Sequence, residues 1–335
     1  MSSRNPSLLL RLRFALEYAL IVFLYGIIRL LPHCGVKVIA KFFGKLTFAR
    51  YRPGRKLILA NIQCAMPELS EQERIRIGRA SMENTIFNLM EFIWLTGNRR
   101  RIERWLHLPE EITAKLKAHV ANGERIIFVN PHLGSWEASG LMAPYYAGVQ
   151  MAAIAKPLRN PYLNNLLNHG NREKEHGLKI IFSKGAIRSA VKALHQGLGI
   201  GTLIDQNTRL RDGGVFVNFF NMPVPSSKAP ATLLRYCRTN HIPAVIVYGT
   251  SVRHEDGIVY AHARWLSRDL EEYRDDEEII QELMDISVQY IRRYPEQYLW
   301  LYKRFLYIPE DISPEIKKRF PYYARIAPPK FYRLK

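Results

Sequence analysis

From residue 125 onward, short apolar runs alternate with segments long enough for helices, and this alternation limits the possible folds more than any other feature of the sequence. The apolar runs, each expected to form a strand, are residues 126–129, 151–154, 178–182, 200–204, 215–220, 244–248 and 258–261. Segments 162–176 and 186–196 have the length of helices. Strands that alternate with helices predict an α/β fold around a mixed, largely parallel sheet.

Two longer segments also predict helices. Residues 70–95 begin with charged side chains and continue with a strongly apolar stretch, a pattern typical of a helix that is buried in the core or lines an apolar groove. Residues 270–293 predict a second strong helix, and an aromatic and basic tail follows it.

The N-terminal part of the chain contains an apolar segment, residues 14–31, that only Glu17 and Arg29 interrupt. Its length of about 18 residues is at the lower margin for a helix that spans a bilayer, so spanning, re-entrant and interfacial placements are all open. No small-x-small cleavage site follows, which favours a retained anchor over a signal peptide. We therefore expect residues 1–50 to form a membrane anchor with a basic flank, and residues 51–335 to form one catalytic domain. A buried helix of a soluble protein is the alternative.

The net charge of +19 is concentrated at the two ends of the chain. Residues 1–60 hold eleven Lys and Arg against one acid, and seven more basic residues with no acid follow Glu315, which leaves a nearly neutral body. Nucleic acid is one anionic partner that this charge would fit. The apolar segment favours an anionic bilayer instead, and the basic residues that follow it predict a body on the cytoplasmic side of the membrane.

The densest chemical signal is the stretch Asn130-Pro131-His132-Leu133-Gly134-Ser135-Trp136-Glu137. An apolar strand is expected to end at Pro131, and a helix to begin near Ser135, a residue type that caps helices well. Five residues apart on one continuous helix, His132 and Glu137 would point about 140° away from each other. With His132 in the turn they can meet, so that Glu137 orients the imidazole and His132 serves as a general base. A surface histidine and a helix-capping glutamate are the alternative reading of the same spacing.

Several motifs in a fixed order make the chain resemble the lipid A biosynthesis acyltransferase family, within the wider group of glycerolipid acyltransferases that carry an H(x)4D/E element. Besides His132 and Glu137, the resemblance rests on Arg55, Asn61, Met66-Pro67-Glu68-Leu69-Ser70, Lys156-Pro157-Leu158-Arg159-Asn160, Asp205-Gln206, and Gly214-Val215-Phe216-Val217 with Phe219-Phe220. The H(x)4E spacing alone is a weak signal, whereas the ordered series is specific and covers most of the chain.

This resemblance implies transfer of a fatty acyl chain from acyl carrier protein to a hydroxyl of a lipid A precursor or a related glycolipid, at the bacterial inner membrane. It implies His132 as the base and Glu137 as its partner, with no metal or organic cofactor. Acyl carrier protein is acidic, so basic patches suit it as well as the bilayer.

Other functions also remain open, namely transfer to a different glycolipid or aminolipid acceptor, and the role of a catalytically inactive lipid-binding membrane protein. A nucleophilic Ser135 is a further alternative, but its surroundings lack the GxSxG pattern.

Other matched positions are candidate substrate-binding residues. Lys156, Arg159 and Arg172 follow the second expected strand, and their cationic groups suit lipid phosphates, although solvated helix charges would look the same. Asp205 and Gln206 close another expected strand, where Asp205 could hold the acceptor sugar, assist the base or form a turn.

The chain departs from the family at residues 221–228 and at residues 300–305, where Trp-Leu-Tyr-Lys-Arg-Phe replaces a more usual Trp-x-His-x-Arg-Trp. From the excess of basic and aromatic residues in the C-terminal tail, including Tyr322, Tyr323, Phe331 and Tyr332, we expect an added surface contact.

Overall fold

The computed structural model describes residues 7–175, 177–182 and 185–332. The helices are α1 (Leu8–Leu30), α2 (His33–Arg50), α3 (Arg52–Ala65), α4 (Glu71–Leu95), α5 (Arg99–Trp105), α6 (Glu110–Ala121), α7 (Trp136–Ala147), α8 (Pro161–Asn164), α9 (Ala186–His195), α10 (Ala229–Thr239), α11 (Asp276–Arg293) and α12 (Pro314–Arg319). The strands are β1 (Leu106–His107), β2 (Arg125–Asn130), β3 (Met151–Ala155), β4 (Lys179–Phe182), β5 (Gly199–Leu203), β6 (Gly214–Phe219), β7 (Met222–Ser227), β8 (Ala244–Arg253), β9 (Val259–Trp265), β10 (Tyr307–Ile308) and β11 (Arg325–Ile326). Of the basic residues counted at the two ends of the chain, Arg4, Arg333 and Lys335 lie outside the described ranges, as does His176 at the end of the predicted helix 162–176.

A seven-stranded sheet forms the centre of the molecule, in the order β1-β9-β8-β2-β5-β3-β4. Neighbouring strands run parallel, except that β8 and β9 pair antiparallel. The predicted mixed, largely parallel sheet is therefore confirmed. In β2, Asn130 pairs with Leu203 of β5, so the residues that follow these two strands emerge side by side at one edge of the sheet.

Apolar side chains alternate between the two faces of the sheet, and helices cover both. Ile126 of β2 belongs to a core that includes Leu116 of α6 and Met142 of α7. Its neighbour Ile127 belongs to the opposite core, with Leu194 of α9. Because strand residues alternate in direction, the continuous apolar run of β2 buries both faces of a central strand.

The predicted strand at residues 215–220 exists, but it lies outside the main sheet. It forms β6, which pairs antiparallel with β7 in a separate two-stranded ribbon. The sequence prediction omitted β7 because Pro223 and Pro225 interrupt it. Proline lacks the N–H that a central strand needs, and a two-stranded ribbon tolerates it because both strands are edges.

The predicted helices are present with shifted ends. Ser70 and Glu73 form a capping box at the start of α4, which confirms the predicted helix start at Ser70, the N-cap residue. Residues 270–272 form a short 3-10 helix, and α11 begins only at Asp276. The segment predicted as a helix from residue 162 is α8 followed by a π-helix, Asn165–Glu175.

The N-terminal apolar segment forms α1, which contacts α4 and α8 and leaves most of its side chains exposed. In the described part of the chain, no helix combines the length and the apolar character that crossing a membrane requires. Helix α2 packs closely against α4, and a Cβ atom placed on Gly44 would lie 2.5 Å from Glu83 Cα. A larger residue at position 44 would therefore separate the two helices.

Three of the four aromatic side chains of the C-terminal tail pack inward, whereas the described basic side chains on which the expected surface contact also rests are exposed. Phe331 is buried, and the Tyr323 hydroxyl donates a hydrogen bond to Asn61 Oδ1 on α3. Tyr332 is partly buried, and Tyr322 is the exposed member of the four. Aromatic side chains in a basic tail look the same in sequence whether they cover the core or face a partner.

Candidate active site

The turn between β2 and α7 holds His132 at the edge of the sheet, as the sequence predicts. Gly134 has a φ of +63°, and a Cβ atom at this position would lie 1.7 Å from the Ser251 carbonyl oxygen. The turn is fixed from two sides, since Leu299 N donates to the His132 carbonyl at 3.0 Å and Ser135 N donates to the Ser251 carbonyl at 2.8 Å. Glycine at position 134 is thus required both by its conformation and by the close backbone approach.

Asp205 is the carboxylate that holds His132. The Nδ1 atom of His132 lies 2.8 Å from Asp205 Oδ1, and the backbone N–H of His132 donates to Asp205 Oδ2 at 2.9 Å. This contact follows from the parallel pairing of β2 and β5, because Asp205 comes shortly after the end of β5. With Nδ1–H donated to the carboxylate, Nε2 is the nitrogen that can accept a proton. Gln206 Nε2 lies 3.4 Å from that atom.

Charge and burial act in opposite directions on this pair. Burial alone lowers the pKa of His132, but the charge of Asp205, its hydrogen bond and the charge of Glu137 together raise that pKa above the ordinary value. Burial alone raises the pKa of Asp205, but His132 and the more distant Arg304 lower it overall. Asp205 is therefore a carboxylate and His132 a strengthened base.

Glu137 does not occupy the place expected for it. Both of its carboxylate oxygens accept hydrogen bonds from Arg172 Nη2, each at 2.7 Å, and Arg172 Nη1 donates to Asn168 Oδ1. The expected hydrogen bond from His132 to Glu137 is made to Asp205 instead, because the adjacent end of β5 brings Asp205 onto Nδ1. Glu137 is held by Arg172 of the π-helix, and its charge still raises the pKa of His132. Single-turn π-helical insertions often mark functional sites, and here a longer π-helix supplies Arg172.

An apolar cavity of about 450 Å³ lies between the sheet and helices α6 and α7. Trp136 lines it and stands edge-on to His132, with 5.6 Å between the ring centres. Side chains of the apolar part include Leu108, Ile112, Leu116, Met142, Ala143 and Ala263. Polar side chains on its lining include Glu137, Lys156, Arg172 and Gln206, together with Asn130, Ser139, Thr202, Thr250 and His262. The structure thus brings six of the predicted site residues together, with Glu137, Lys156, Arg172 and Gln206 on the cavity and His132 and Asp205 beside it.

Arg159 lies apart from these residues, because its side chain is exposed and is not among those that line the cavity. Its neighbour Asn160 is buried, caps α8 and donates to the Phe14 carbonyl of α1 at 2.9 Å. The pattern at residues 156–160 therefore combines a cavity residue, Lys156, with a structural contact to α1.

Arg304 is a contributor to the site that the sequence prediction missed. It is 2% exposed and donates to Asn207 Oδ1 at 3.0 Å and to the Pro225 carbonyl at 2.8 Å. Its charge helps to lower the pKa of Asp205. The available signal was the Trp-x-x-x-Arg spacing at residues 300–304, but a basic residue among aromatic ones gives no indication in sequence that it is buried.

Ser135 does not adjoin the base in the way a nucleophile requires. Its hydroxyl donates to Glu91 Oε2 at 3.3 Å, and the side chain is buried. In the described residues, the side chains that hydrogen-bond to the His132 ring are Asp205 and Gln206. The same residues contain no group of three or more His, Cys, Asp and Glu that could hold a metal ion.

Comparison with known proteins identifies relatives along most of the chain. The model of the bacterial lipid A biosynthesis acyltransferase family matches residues 4–307. The chain is 26% identical to a lipid A biosynthesis lauroyltransferase of Escherichia coli K12 over 277 residues, which cover 80% of this chain and 84% of the relative. It is 23% identical to a lipid A biosynthesis acyltransferase of Haemophilus influenzae, over 85% of this chain and 89% of the relative. A lipid A biosynthesis palmitoleoyltransferase of Escherichia coli K12 is 25% identical over 79% of this chain and 84% of the relative.

Proposed function

Because the chain belongs to the bacterial lipid A biosynthesis acyltransferase family, we propose that it transfers a fatty acyl chain from an acyl carrier protein thioester to a hydroxyl group of a lipid A precursor, with His132 as general base. The observation that carries this proposal is the buried pair of His132 and Asp205 beside an apolar cavity. One nitrogen of the base is fixed by a carboxylate, and the other adjoins Gln206 on the cavity wall.

The proposed reaction begins when His132 Nε2 takes the proton of the acceptor hydroxyl. The hydroxyl oxygen then attacks the thioester carbonyl and forms a tetrahedral oxyanion. As this intermediate collapses, the carbon–sulfur bond breaks, and the proton on His132 passes to the carrier thiolate. The acyl chain is left as an ester on the acceptor, and His132 returns to its neutral state with no acyl-enzyme formed.

The start of α7 supplies the donors for the oxyanion. The first hydrogen bond of this helix runs from Ser139 N to the Ser135 carbonyl at 2.9 Å, so the N–H groups of Trp136, Glu137 and Ala138 precede it. The N-terminal turn of a helix presents unpaired N–H groups and the positive end of its dipole. Such donors stabilise a developing oxyanion when they are held in place before the reaction.

The apolar cavity is the proposed site for the acyl chain. Its volume falls in the range of small-molecule pockets, about 300–1,000 Å³. Lys156 and Arg172 place positive charge on its polar part, where Glu137 fixes the direction of Arg172. A guanidinium and an ammonium suit the phosphate groups of a lipid acceptor. We assign Glu137 the role of holding Arg172 in place, together with a smaller effect on the pKa of His132.

Helices α1 and α2 are the proposed membrane contact. Their exposed apolar side chains include Leu9, Leu16, Phe23, Val38 and Phe42, each more than 60% exposed. Basic residues lie beside them, with Lys41 and Lys45 exposed on α2. An apolar surface edged by positive charge suits the interface of an anionic membrane. We place residues 1–50 in this interface and residues 51–335 on the cytoplasmic face of the inner membrane, where acyl carrier protein delivers the thioester.

The test is an acyl-transfer assay in mixed micelles, with acyl carrier protein thioesters as donors and a lipid A precursor as acceptor. We expect acylated lipid with the wild-type protein, and a fall in kcat of about 10³-fold for His132→Ala, within the usual contribution of a general base. The control is Arg159→Ala, since this exposed side chain lies outside the cavity. Transfer that survives His132→Ala would contradict the proposal. Lipid binding without turnover in the wild type would favour a non-enzymatic lipid-binding protein.

A further inference from the structure

Helix α4 carries a row of polar side chains on an otherwise largely apolar, buried stretch. Ser81, Asn84, Asn88 and Glu91 recur every three or four residues, so they lie along one face of the helix. We call this row the α4 ridge. Buried polar side chains are costly unless they are hydrogen-bonded, so the partners of the ridge indicate its role.

The ridge holds the turn of His132 and the segment that packs against it. Asn88 Nδ2 donates to the Gly134 carbonyl, and Glu91 accepts from the Ser135 hydroxyl. Asn84 Nδ2 donates to the Gln297 carbonyl at 3.1 Å, which also accepts from Gly134 N. Ser81 Oγ donates to the Tyr298 carbonyl at 2.6 Å. The turn at residues 132–135 therefore lies between α4 and residues 297–299.

Glu91 is the most strongly held member of the ridge. It is 0% exposed, it accepts a hydrogen bond from Arg253 Nη2, and His33 Nε2 lies 2.8 Å from its other oxygen. Burial alone raises the pKa of Glu91, but the charge of Arg253 and the hydrogen bonds lower it overall. A carboxylate fixed in this way is a rigid acceptor for Ser135.

The hydroxyl of Ser135 has an unusual orientation for its position. Ser135 is the N-cap residue of α7, and a serine there normally accepts a hydrogen bond from an N–H of the first helical turn. In the described structure its side chain makes no such bond and donates to Glu91 instead. The first-turn N–H groups of α7 are thus left for another acceptor.

We propose that Asn88 and Glu91 are positioning residues, which hold the turn at residues 132–135 so that His132 is aimed and the N–H groups of α7 stay open for the oxyanion. This inference rests on the proposed acyl-transfer function. Small displacements of a catalytic group are expensive, since a shift of about 1 Å can cost about 10²-fold in rate. The ridge therefore contributes to turnover through geometry and not through contact with the substrate.

The experiment compares Asn88→Ala and Ser135→Ala with Thr96→Val in the micelle assay. Thr96 is a matched control, because it is buried next to the end of α4 and, among the residues that the structure describes, its hydroxyl bonds only to the Phe92 carbonyl. We expect kcat to fall by about 10- to 100-fold in Asn88→Ala and in Ser135→Ala, which removes the group that Glu91 holds, with the KM for each substrate and the pH dependence of kcat/KM unchanged. Asn88→Ser and Ser135→Thr keep a hydrogen-bonding group and should recover part of the rate.

The melting temperature separates positioning from simple loss of stability. A role in positioning requires Asn88→Ala to be slower than a Thr96→Val protein that melts at a similar temperature. Equal kcat values in these two variants would overturn the role of the ridge while leaving the acyl-transfer function intact. Complete loss of transfer in Ser135→Ala, with no recovery in Ser135→Thr, would overturn it in favour of a nucleophilic serine. A wild-type protein that transfers no acyl chain would instead refute the proposed function itself.

Discussion

Asp205 and Glu137 lie near the same histidine, yet their surroundings differ sharply. The side chain of Asp205 is 2% exposed and binds both the ring and the backbone of His132. The side chain of Glu137 is 22% exposed and binds Arg172 at the cavity. Electrostatic interactions are stronger where water is excluded, so Asp205 is suited to orient and strengthen the base. Glu137 lies where substrate and solvent can approach, which suits a clamp for a cationic binding group.

Replacing Asp205 should have the largest effect that this comparison predicts. In Asp205→Asn, the amide can present an N–H to Nδ1 and stabilise the wrong tautomer of His132. We expect kcat to fall by about 10²-fold or more, with little change in the KM for either substrate. Steady-state kinetics with donor and acceptor varied separately measure both quantities.

A kcat for Asp205→Asn close to that of the wild type would contradict the assigned role. Circular dichroism and melting curves provide the control, since Asp205 also accepts the backbone N–H of His132. A folded variant with low kcat locates the defect in the chemistry of the base.

Replacing Arg172 should have a smaller effect than replacing Asp205, and it should change substrate binding more than turnover. Lysine in Arg172→Lys keeps the charge but cannot reproduce the two hydrogen bonds to Glu137 together with the bond to Asn168. We expect the KM for the lipid acceptor to rise by about tenfold, since each 1.4 kcal/mol of lost binding is a factor of ten. The KM for the donor thioester should change less.

A double-mutant cycle with Glu137→Gln sharpens this prediction. If Glu137 acts mainly by holding Arg172, the effects of the two substitutions on the acceptor KM will not add. Additive effects would show that Glu137 acts independently of Arg172, and the distinction between the two carboxylates would then need revision.

The order of strands and helices could be read from the sequence because each central strand is a short apolar run between helix-length segments. The turn that holds His132 was also predictable, since Pro131 ends a strand and Ser135 starts a helix. The identity of its partner was not. Asp205 meets His132 because β5 pairs with β2, although β3 and β4 lie between them in the chain, and strand order depends on tertiary packing.

Long-range contacts explain the other differences. Arg304 lies 97 residues beyond Asn207, its hydrogen-bond partner, so no local pattern marks it as buried. The segment of α4 around Asn88 and Glu91 was expected to be core or groove, and its apolar neighbours gave no sign that these two side chains bind the turn of His132. In each case a polar residue is buried by a partner that is distant in sequence.

The pH dependence of kcat/KM shows whether Asp205, and not Glu137, sets the basicity of His132. His132 must be neutral to take a proton, so activity rises as pH increases through its raised pKa. Removing the charge of Asp205 lowers that pKa, because its charge and hydrogen bond contribute more than the charge of Glu137. We predict that the acidic limb of the profile moves to lower pH in Asp205→Asn, and moves less in the same direction in Glu137→Gln. A limb that moves further in Glu137→Gln than in Asp205→Asn would contradict the assignment.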